Sequence, residues 1–335
     1  MSPAFPPPDP GVIMDALCAF QLTEALKGAI ELDVFTHIAA GAVTPSAIAE
    51  RANASERGVR ILCDYLTIRG FLGKEDGRYS CSPTSAVFLD KRLPSYIGSI
   101  ANFLAHERIV RSYRNIAAAA RKGGTVATST VSPNDPVWVE FARSMAPFLG
   151  MVAGVMAPIV ATPGRPQKVL DVAAGHGLFG LSVAKANPSA TVYGTDWVDV
   201  LKVAVENATA LGVADRYHTI PGSAFDVEFG TGYDLVLVPN FLHHFDKATN
   251  TSLLKKLRRA MTPGGTIAVV EFMPNEDRVS PPIAAAFSMQ MLGATESGEA
   301  YPFSDLDAML AGGGFSNRRA QALPPTPQSL VTATA

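Results

Sequence analysis

Two residues with acid–base side chains follow strongly apolar runs in the second half of the chain. His243 follows the run at 233–239 (YDLVLVP), and Glu271 lies near the end of the run at 266–272 (TIAVVEF). Such runs indicate buried strands of a parallel sheet, whose ligands bind beyond the carboxyl ends of the strands. An imidazole with an unperturbed pKa of about 6.5 can accept a proton at neutral pH, and a carboxylate on its other nitrogen fixes its tautomer. We therefore predict a general base, His243, oriented by Glu271; the alternative is a hydrogen-bonded core histidine and a solvated strand end.

A second candidate site is a glycine-containing turn between two acids. Asp171 ends one apolar run and Asp196 ends the next, with a helical pattern between them, which indicates a βαβ unit that holds a ribose-bearing ligand. Gly175, Gly177 and Gly180 partly match the pattern that cradles a dinucleotide, a signal that is weak on its own. Asp171 would repel a pyrophosphate but suits a cationic amino-acid tail, and Asp196 is placed for ribose hydroxyls. The pair fits S-adenosylmethionine.

The elements that must position these residues alternate along residues 166–335. Apolar runs predict strands, and helical periodicity predicts helices between them. The predicted strands are 169–171, 190–195, 216–221, 233–239 and 266–272; the predicted helices are 178–186, 200–211, 249–261, 282–292 and 303–311. Two closing strands, 318–323 and 329–334, flank a proline-rich turn. This order predicts an α/β fold with a Rossmann-like parallel sheet and a terminal antiparallel hairpin.

The first 110 residues predict a mainly α winged-helix domain. Helical spacing at 12–38 is followed by helices at 45–52 and 55–69 and by a hairpin that turns at Asp76-Gly77. Winged helices often bind DNA, but apolar residues dominate the second of these two helices and basic residues only slightly outnumber acidic ones. The segment 12–38 carries more apolar surface than a small domain covers. We therefore predict a symmetric dimerisation module.

The turn after Asp171 carries a family resemblance. From Asp171 to Gly177 the chain reads D-x-A-x-G-x-G, which resembles the D-x-G-x-G-x-G motif of class I S-adenosylmethionine-dependent methyltransferases. Ala173 stands at the first glycine, which predicts a residue with negative φ there. The whole chain resembles small-molecule O-methyltransferases that join a winged-helix dimerisation domain to a cofactor domain, such as plant phenolic and bacterial polyketide and phenazine tailoring enzymes. The resemblance implies S-adenosyl-L-methionine as cofactor and a homodimer.

The same resemblance extends to the base. The segment 240–246 (NFLHHFD) resembles the family's L-H-x-W-x-D stretch, which implies that His243 is the base and that Phe245 replaces the tryptophan. Glu271 in VVEFMP matches an A-E motif whose acid orients that base. A third acid of the family falls at Ala300, with Glu299 beside it, so the third catalytic acid is either shifted to Glu299 or missing.

The remaining cofactor contacts are implied around the adenine. Ser223 replaces the family's adenine-binding acid and can still hydrogen-bond adenine, with Ala224 next to it and Phe225 placed to pack on the ring. Trp197, after the ribose acid, either stacks on adenine or is a surface aromatic residue. Asn240, which opens the base-bearing segment, completes the predicted set.

Residues 111–165 predict a helical connector that also forms a pocket wall. A stripe of large apolar side chains occupies its helical segment, 136–160: Trp138, Phe141, Met145, Phe148, Met151 and Met156. Such stripes are most often core, but flexible methionines also line pockets for aromatic ligands.

Composition limits the functional classes. The chain has 335 residues and a net charge of −2, so no basic field draws it to nucleic acid or membranes. Three scattered cysteines indicate free thiols, and we find neither a signal peptide nor a membrane-spanning run, so we expect a cytoplasmic protein. The adjacent His243 and His244 with Asp246 do not form a metal-binding spacing, and we predict no metal.

We therefore predict a homodimeric S-adenosylmethionine-dependent methyltransferase that acts on a hydroxyl of an aromatic or polyketide-like small molecule. One alternative keeps the cofactor but methylates nitrogen, carbon or a carboxylate by proximity alone. The other is a ligand-responsive winged-helix transcription regulator.

Overall fold

A computed structural model describes residues 7–127 and 135–335 of the chain. They divide into two compact units, Met1–His106 and Glu107–Ala335. In the described ranges, no single helix is both long and apolar enough to cross a membrane; Val137–Ser144 and Ala146–Val160 meet that test only as a pair, bent by 62°.

The first unit consists of six helices and one two-stranded sheet. Its elements are α1 (Pro10–Glu31), α2 (Val34–Ala39), α3 (Pro45–Ala52), α4 (Glu56–Ile68), β1 (Leu72–Glu75), β2 (Arg78–Cys81), α5 (Pro83–Phe88) and α6 (Ile100–Leu104). The order α3, α4 and the antiparallel pair β1–β2 confirms the predicted winged helix. The side chains of Thr44 and Ser55 accept hydrogen bonds from the first turns of α3 and α4, as their sequence position predicts.

The helical spacing over 12–38 is realised as two helices, α1 and α2, and not as one continuous helix. Asp33 takes a left-handed conformation, with a φ of 53°, between α1 and α2. Aspartate tolerates this conformation better than most residues, and it ends the helical path.

The core of the first unit receives one face of α4. Val59, Cys63 and Leu66 are buried there, while the outer face of α1 keeps large apolar side chains in solvent. These exposed residues of α1 are Val12, Ile13, Met14, Leu17 and Phe20, each at least 60% exposed. The apolar residues of α4 therefore pack the core, and α1 supplies the apolar surface that the dimer prediction needs.

The second unit is built on a seven-stranded sheet. Its elements are α7 (Glu107–Tyr113), α8 (Ile116–Lys122), α9 (Val137–Ser144), α10 (Ala146–Val160), β3 (Gln167–Val172), α11 (Leu178–Ala186), β4 (Ala190–Asp196), α12 (Val198–Ala210), β5 (Tyr217–Pro221), β6 (Tyr233–Pro239), α13 (Lys247–Ala260), β7 (Met261–Glu271), α14 (Pro282–Ala294), α15 (Phe303–Gly312), β8 (Ser316–Ala322) and β9 (Ser329–Thr334).

The strands lie in the order β5-β4-β3-β6-β7-β9-β8. The first five of these are parallel, and β9 runs antiparallel to both β7 and β8. This confirms the predicted Rossmann-like sheet with a terminal hairpin. Strand order reverses at β3, which pairs with both β4 and β6, so a crevice opens at the carboxyl ends of these strands. Helices α10, α11 and α12 bury one face of the sheet, and α13 and α15 bury the other.

The connector is more broken than the sequence predicts. Between residues 100 and 122 the chain forms three short helices, α6, α7 and α8, and the last two pack against α14. The pattern at 136–160 is realised as α9 and α10, bent by 62°. Pro147 lies in the first turn of α10, where its missing N–H and rigid ring prevent the two helices from joining.

Candidate active site

Asp171, near the end of β3, is hydrogen-bonded to the first turn of α11. This carboxyl is fully buried, and its Oδ2 accepts a hydrogen bond from the Gly180 N–H at 2.9 Å. Its Oδ1 has no partner among the described groups. Burial raises the pKa of Asp171 well above its usual range, and the nearby charge of Asp196 raises it further.

The prediction for Ala173 is wrong, because its φ is +53°. Gly175 and Gly177 also have positive φ values, so three residues of the turn are left-handed. The Ala174 N–H donates to the Thr195 carbonyl at 3.0 Å, which ties the turn to β4 and imposes this path on Ala173. Alanine therefore holds a strained conformation where glycine would be relaxed.

His176 also lies in this turn but has a structural role. Its Nδ1 accepts a hydrogen bond from the Leu178 N–H at 3.0 Å, at the start of α11. Burial lowers the pKa of His176 to about 4. The ring is therefore neutral at physiological pH and caps the helix.

Asp196 connects the end of β4 with the turn. Its Oδ2 accepts from the Gly175 N–H at 2.8 Å, and its Oδ1 accepts from the Trp197 N–H at 2.7 Å. Burial raises the pKa of Asp196 to about 6. The Trp197 side chain is half-buried and packs against the cluster of Ala142 in α9 and Val200 and Val203 in α12.

Three further predicted cofactor residues, Ser223, Ala224 and Phe225, follow β5. Ser223 Oγ accepts from the Phe225 N–H at 3.2 Å, and Lys256 of α13 donates to the carbonyls of Ala224 and Phe225. The Phe225 ring meets that of Phe245 edge-on, with centroids 4.9 Å apart. The segment after β5 is thus joined to the segment that carries His243.

Asn240 lies at the end of β6 with a left-handed backbone, at a φ of 51°. Its N–H donates to the Val270 carbonyl at 2.7 Å, which places it beside the end of β7. Both polar atoms of its side-chain amide are buried and have no partner among the described groups.

His243 and Glu271 form a buried pair at the ends of β6 and β7. His243 Nδ1 lies 2.5 Å from Glu271 Oε2, and both side chains are at most 5% exposed. Glu271 Oε1 accepts from the N–H groups of Phe241, Leu242 and His243, at 3.0, 2.8 and 3.3 Å. The carboxylate therefore orients both the imidazole and the backbone that carries it.

Glu299 is engaged elsewhere. Its carboxylate forms an ion pair with Arg278, which also pairs with Asp305, and the Glu299 side chain is 41% exposed. No hydrogen bond connects it with His243 in the ranges that the structure describes. Its role as a third catalytic acid stays a prediction.

Aromatic rings adjoin His243, and Phe287 among them had no signal in the sequence. Phe287 of α14 meets the His243 ring edge-on at 4.8 Å and stacks on Phe272 at 4.1 Å. His244 lies against His243, with centroids 4.3 Å apart, and Trp138 of α9 meets its other side at 5.6 Å. Burial, followed by the neighbouring His243, lowers the pKa of His244 well below its usual range.

The connector stripe divides between core and site. Met156 is fully buried under the sheet, whereas the Phe141 ring approaches the turn: a Cβ on Gly175 would lie 3.9 Å from it. No cluster of three metal-ligating side chains occurs within residues 7–127 and 135–335.

Comparison with known proteins identifies the family to which this α/β protein belongs. Residues 14–91 match the model of the O-methyltransferase dimerisation domain, and residues 106–316 match that of the O-methyltransferase domain. The chain belongs to this O-methyltransferase family. It is a methyltransferase that uses S-adenosylmethionine, and its first unit carries the family's dimerisation domain.

Three relatives cover nearly the whole methyltransferase. The structure of a candidate O-methyltransferase from Nostoc punctiforme is 45% identical, has a TM-score of 0.95, and the match covers 98% of this chain and 100% of that one. The 3-hydroxy-5-methyl-1-naphthoate 3-O-methyltransferase of Streptomyces sahachiroi is 27% identical over 85% of this chain and 84% of its own. The tetracenomycin polyketide synthesis 8-O-methyl transferase TcmO of Streptomyces glaucescens is 26% identical over 94% of each.

The residues at the sheet edge fit the cofactor. Asp171 Oδ1 and the Asn240 amide are buried polar groups that have no partner within residues 7–127 and 135–335. Buried polar groups are otherwise almost always hydrogen-bonded. The ammonium, carboxylate and ribose hydroxyls of an adenosyl amino acid offer the donors and acceptors that such groups lack.

Proposed function

We propose that this methyltransferase methylates a hydroxyl of an aromatic or polyketide-like small molecule, with His243 as the general base. The observation that carries the proposal is the buried His243–Glu271 pair at the ligand-binding edge of the sheet. A buried, oriented imidazole is useful where a neutral hydroxyl must lose its proton, and less so for an acceptor that is already nucleophilic.

The pair assigns the two ring nitrogens different roles. Nδ1 donates to Glu271 Oε2, so Nε2 carries the lone pair that takes the hydroxyl proton. Glu271 then stabilises the imidazolium that forms. S-adenosylmethionine supplies the methyl group on a sulfonium with a good leaving group, which leaves the protein the tasks of positioning and proton removal.

The aromatic acceptor class is supported by two features. The ring of Phe287 adjoins His243, the ring of Phe245 adjoins the neighbouring His244, and such rings suit a planar aromatic molecule. Two of the compared enzymes are named for a hydroxynaphthoate and for a polyketide. Methylation at nitrogen, carbon or a carboxylate is the second candidate, and the ¹³C chemical shift of the transferred methyl distinguishes the products.

We assign the cofactor to the turn and its neighbours: Asp171, Ala173, Gly175, Gly177, Asp196, Trp197, Ser223, Ala224, Phe225 and Asn240. Asp196 keeps lone pairs for the ribose hydroxyls beside its two backbone hydrogen bonds.

We also propose a cytoplasmic homodimer that acts on a small molecule and not on nucleic acid or a membrane. Residues 1–110 would form the dimer through the apolar face of α1, and residues 111–165 would serve as connector and pocket wall. Residues 166–335 would bind the cofactor.

The test is the substitution His243→Ala, assayed with tritiated S-adenosylmethionine on hydroxyarene acceptors. We expect the rate at neutral pH to fall by roughly 10²–10⁴. S-adenosylhomocysteine affinity should stay nearly unchanged, since the imidazole does not hold the cofactor. Raising the pH toward the acceptor's own pKa should restore part of the rate, because the acceptor then ionises without a base.

Two variants serve as controls. His218→Ala removes an exposed histidine on β5 and should leave the rate unchanged. Glu271→Gln should be milder than His243→Ala, because it disturbs orientation and leaves the proton acceptor in place. Near-full activity of His243→Ala would refute base catalysis and favour the proximity mechanism.

A further inference from the structure

Gln328 is a buried side chain without a protein partner. It is 1% exposed, and neither its amide oxygen nor its amide nitrogen has a hydrogen-bond partner among the described groups. It lies just before β9, in a connection whose tip, Pro324-Pro325, is exposed. Its backbone is ordered, since the Gln328 carbonyl accepts from the Leu323 N–H at 3.1 Å.

The sheet register places Gln328 at the ligand-binding edge. Ser329 pairs with Glu271 across the β7–β9 ladder, so Gln328 and Phe272 occupy the next position beyond it. Paired residues share a face and successive residues alternate, so these two lie on the face opposite Glu271. That face is the one covered by α10 and α11, because Val270 and Leu330 pack there.

Aromatic contacts continue from this position to the base. Phe272 stacks on Phe287 with centroids 4.1 Å apart, and Phe287 meets the His243 ring at 4.8 Å. Both phenylalanine rings are half-buried. The stacked pair therefore extends from the proton-accepting imidazole toward the strand position that Gln328 occupies.

We propose that Gln328 binds a second oxygen-bearing group of the methyl acceptor, on the part of the molecule remote from the methylated oxygen. The inference rests on the proposed hydroxyarene function. The acceptor ring would lie along Phe272 and Phe287, with the reacting hydroxyl at His243 and its second group at the carboxamide. The ends of β6 and β9 are two strand spacings apart, roughly 10 Å, which suits a bicyclic or larger acceptor.

The Gln328 carboxamide also indicates whether the second oxygen-bearing group of the acceptor is charged or neutral. A carboxamide both donates and accepts, so a hydroxyl or a carbonyl satisfies it. No lysine or arginine is among the buried residues of the described ranges, and Glu271 already places an acid at this edge. A neutral oxygen group therefore fits better than a carboxylate, which would enter the site without a counter-charge.

The experiment compares two probes, 2,6-dihydroxynaphthalene and 2-naphthol, which differ only in the second hydroxyl. For the wild type we expect kcat/KM to be at least tenfold higher for the diol. Gln328→Met, of similar length but apolar, should reduce that preference to about twofold, the statistical advantage of two equivalent hydroxyls. Affinity for S-adenosylhomocysteine should stay the same, because the proposal places Gln328 at the acceptor and not at the cofactor.

Thermal unfolding provides a second measurement, because Gln328→Met should change Tm and selectivity in opposite directions. Because the amide lacks partners in the protein, Gln328→Met should raise Tm by about 2–4 °C while it lowers selectivity. A structural role would instead lower Tm. Gln321→Met, on exposed β8, is the matched control and should change neither quantity. Gln328→Leu repeats the test if the methionine variant does not fold.

The outcomes are distinguishable. A variant that keeps the diol preference, or a wild type without one, overturns the role of Gln328 while the hydroxyarene function stands. A wild type that methylates neither probe overturns the hydroxyarene class, and the assignment of Gln328 falls with it.

Discussion

Replacing Ala173 with glycine should stabilise the protein. Ala173 has a φ of +53° in the turn after β3, and its neighbour Ala174 is held in place by a hydrogen bond to β4. A residue with a Cβ pays a steric penalty in this conformation that glycine avoids. Glycine would therefore relax the turn without changing its path.

The size of the effect is the difference between two contributions. The left-handed conformation costs a non-glycine residue about 1–2 kcal/mol in the folded state. Glycine gives the unfolded chain more conformational entropy, and this lowers the free energy of unfolding by about 0.4–1 kcal/mol, which offsets part of the relief of strain. We expect a net increase of about 0.5–1 kcal/mol in the free energy of unfolding, or about 1–4 °C in Tm for a unit of this size.

The assay is thermal unfolding of Ala173→Gly beside Ala174→Gly, an identical change one residue later. Ala174 is buried and has no positive φ, so its replacement should lower the free energy of unfolding by about 1 kcal/mol. Opposite signs for the two variants support the reasoning. A fall in Tm for Ala173→Gly would refute it, because the turn would then not be strained.

Two further predictions concern the cofactor and the dimer. Because ribose hydroxyls donate to an ionised acid and burial raises the pKa of Asp196 to about 6, affinity for S-adenosylhomocysteine should fall as pH drops through about 6 and level off above it. Calorimetry between pH 5 and 8 checks this, and Asp196→Asn should bind more weakly with no such transition. Phe20→Glu places a charge on the apolar face of α1 and should convert the dimer to monomers in sedimentation at micromolar concentration. Gln21→Glu, also exposed, should leave the dimer intact.

The sequence predicts the second unit well because its elements are strongly patterned. The run at 233–239 has no competing period, and the structure has the same bounds for β6. The break within 12–38 was not predicted, because a periodic pattern does not reveal that a single aspartate takes a left-handed conformation. Pro147 is a local sequence signal for the bend between α9 and α10. The bend was not predicted because the stripe of apolar side chains continues across it.

The positions of His243 and Glu271 could be predicted because proton transfer needs an imidazole and a carboxylate close together at the carboxyl ends of neighbouring strands. His243 and Glu271 follow strand ends that the sequence reveals, and their hydrogen bond follows from the sheet order. The conformation of Ala173 was missed because the sequence does not show the bond that ties Ala174 to β4. Gln328 and Phe287 carried no motif, since their positions depend on the β7–β9 register and on how α14 packs.

The order of the strands separates two tasks in space. Of the residues that we propose for the cofactor, the turn and Asp196 belong to β3 and β4 on one side of the strand reversal, and Asn240 at the end of β6 is the exception. The proposed base, its acid and Gln328 belong to β6, β7 and β9 on the other side. Under these proposals, substitutions on the second side, other than at Asn240, should change acceptor recognition and leave donor binding unchanged. A lineage built on this sheet can diversify its products stepwise, since each new specificity starts from an enzyme that already holds its methyl donor.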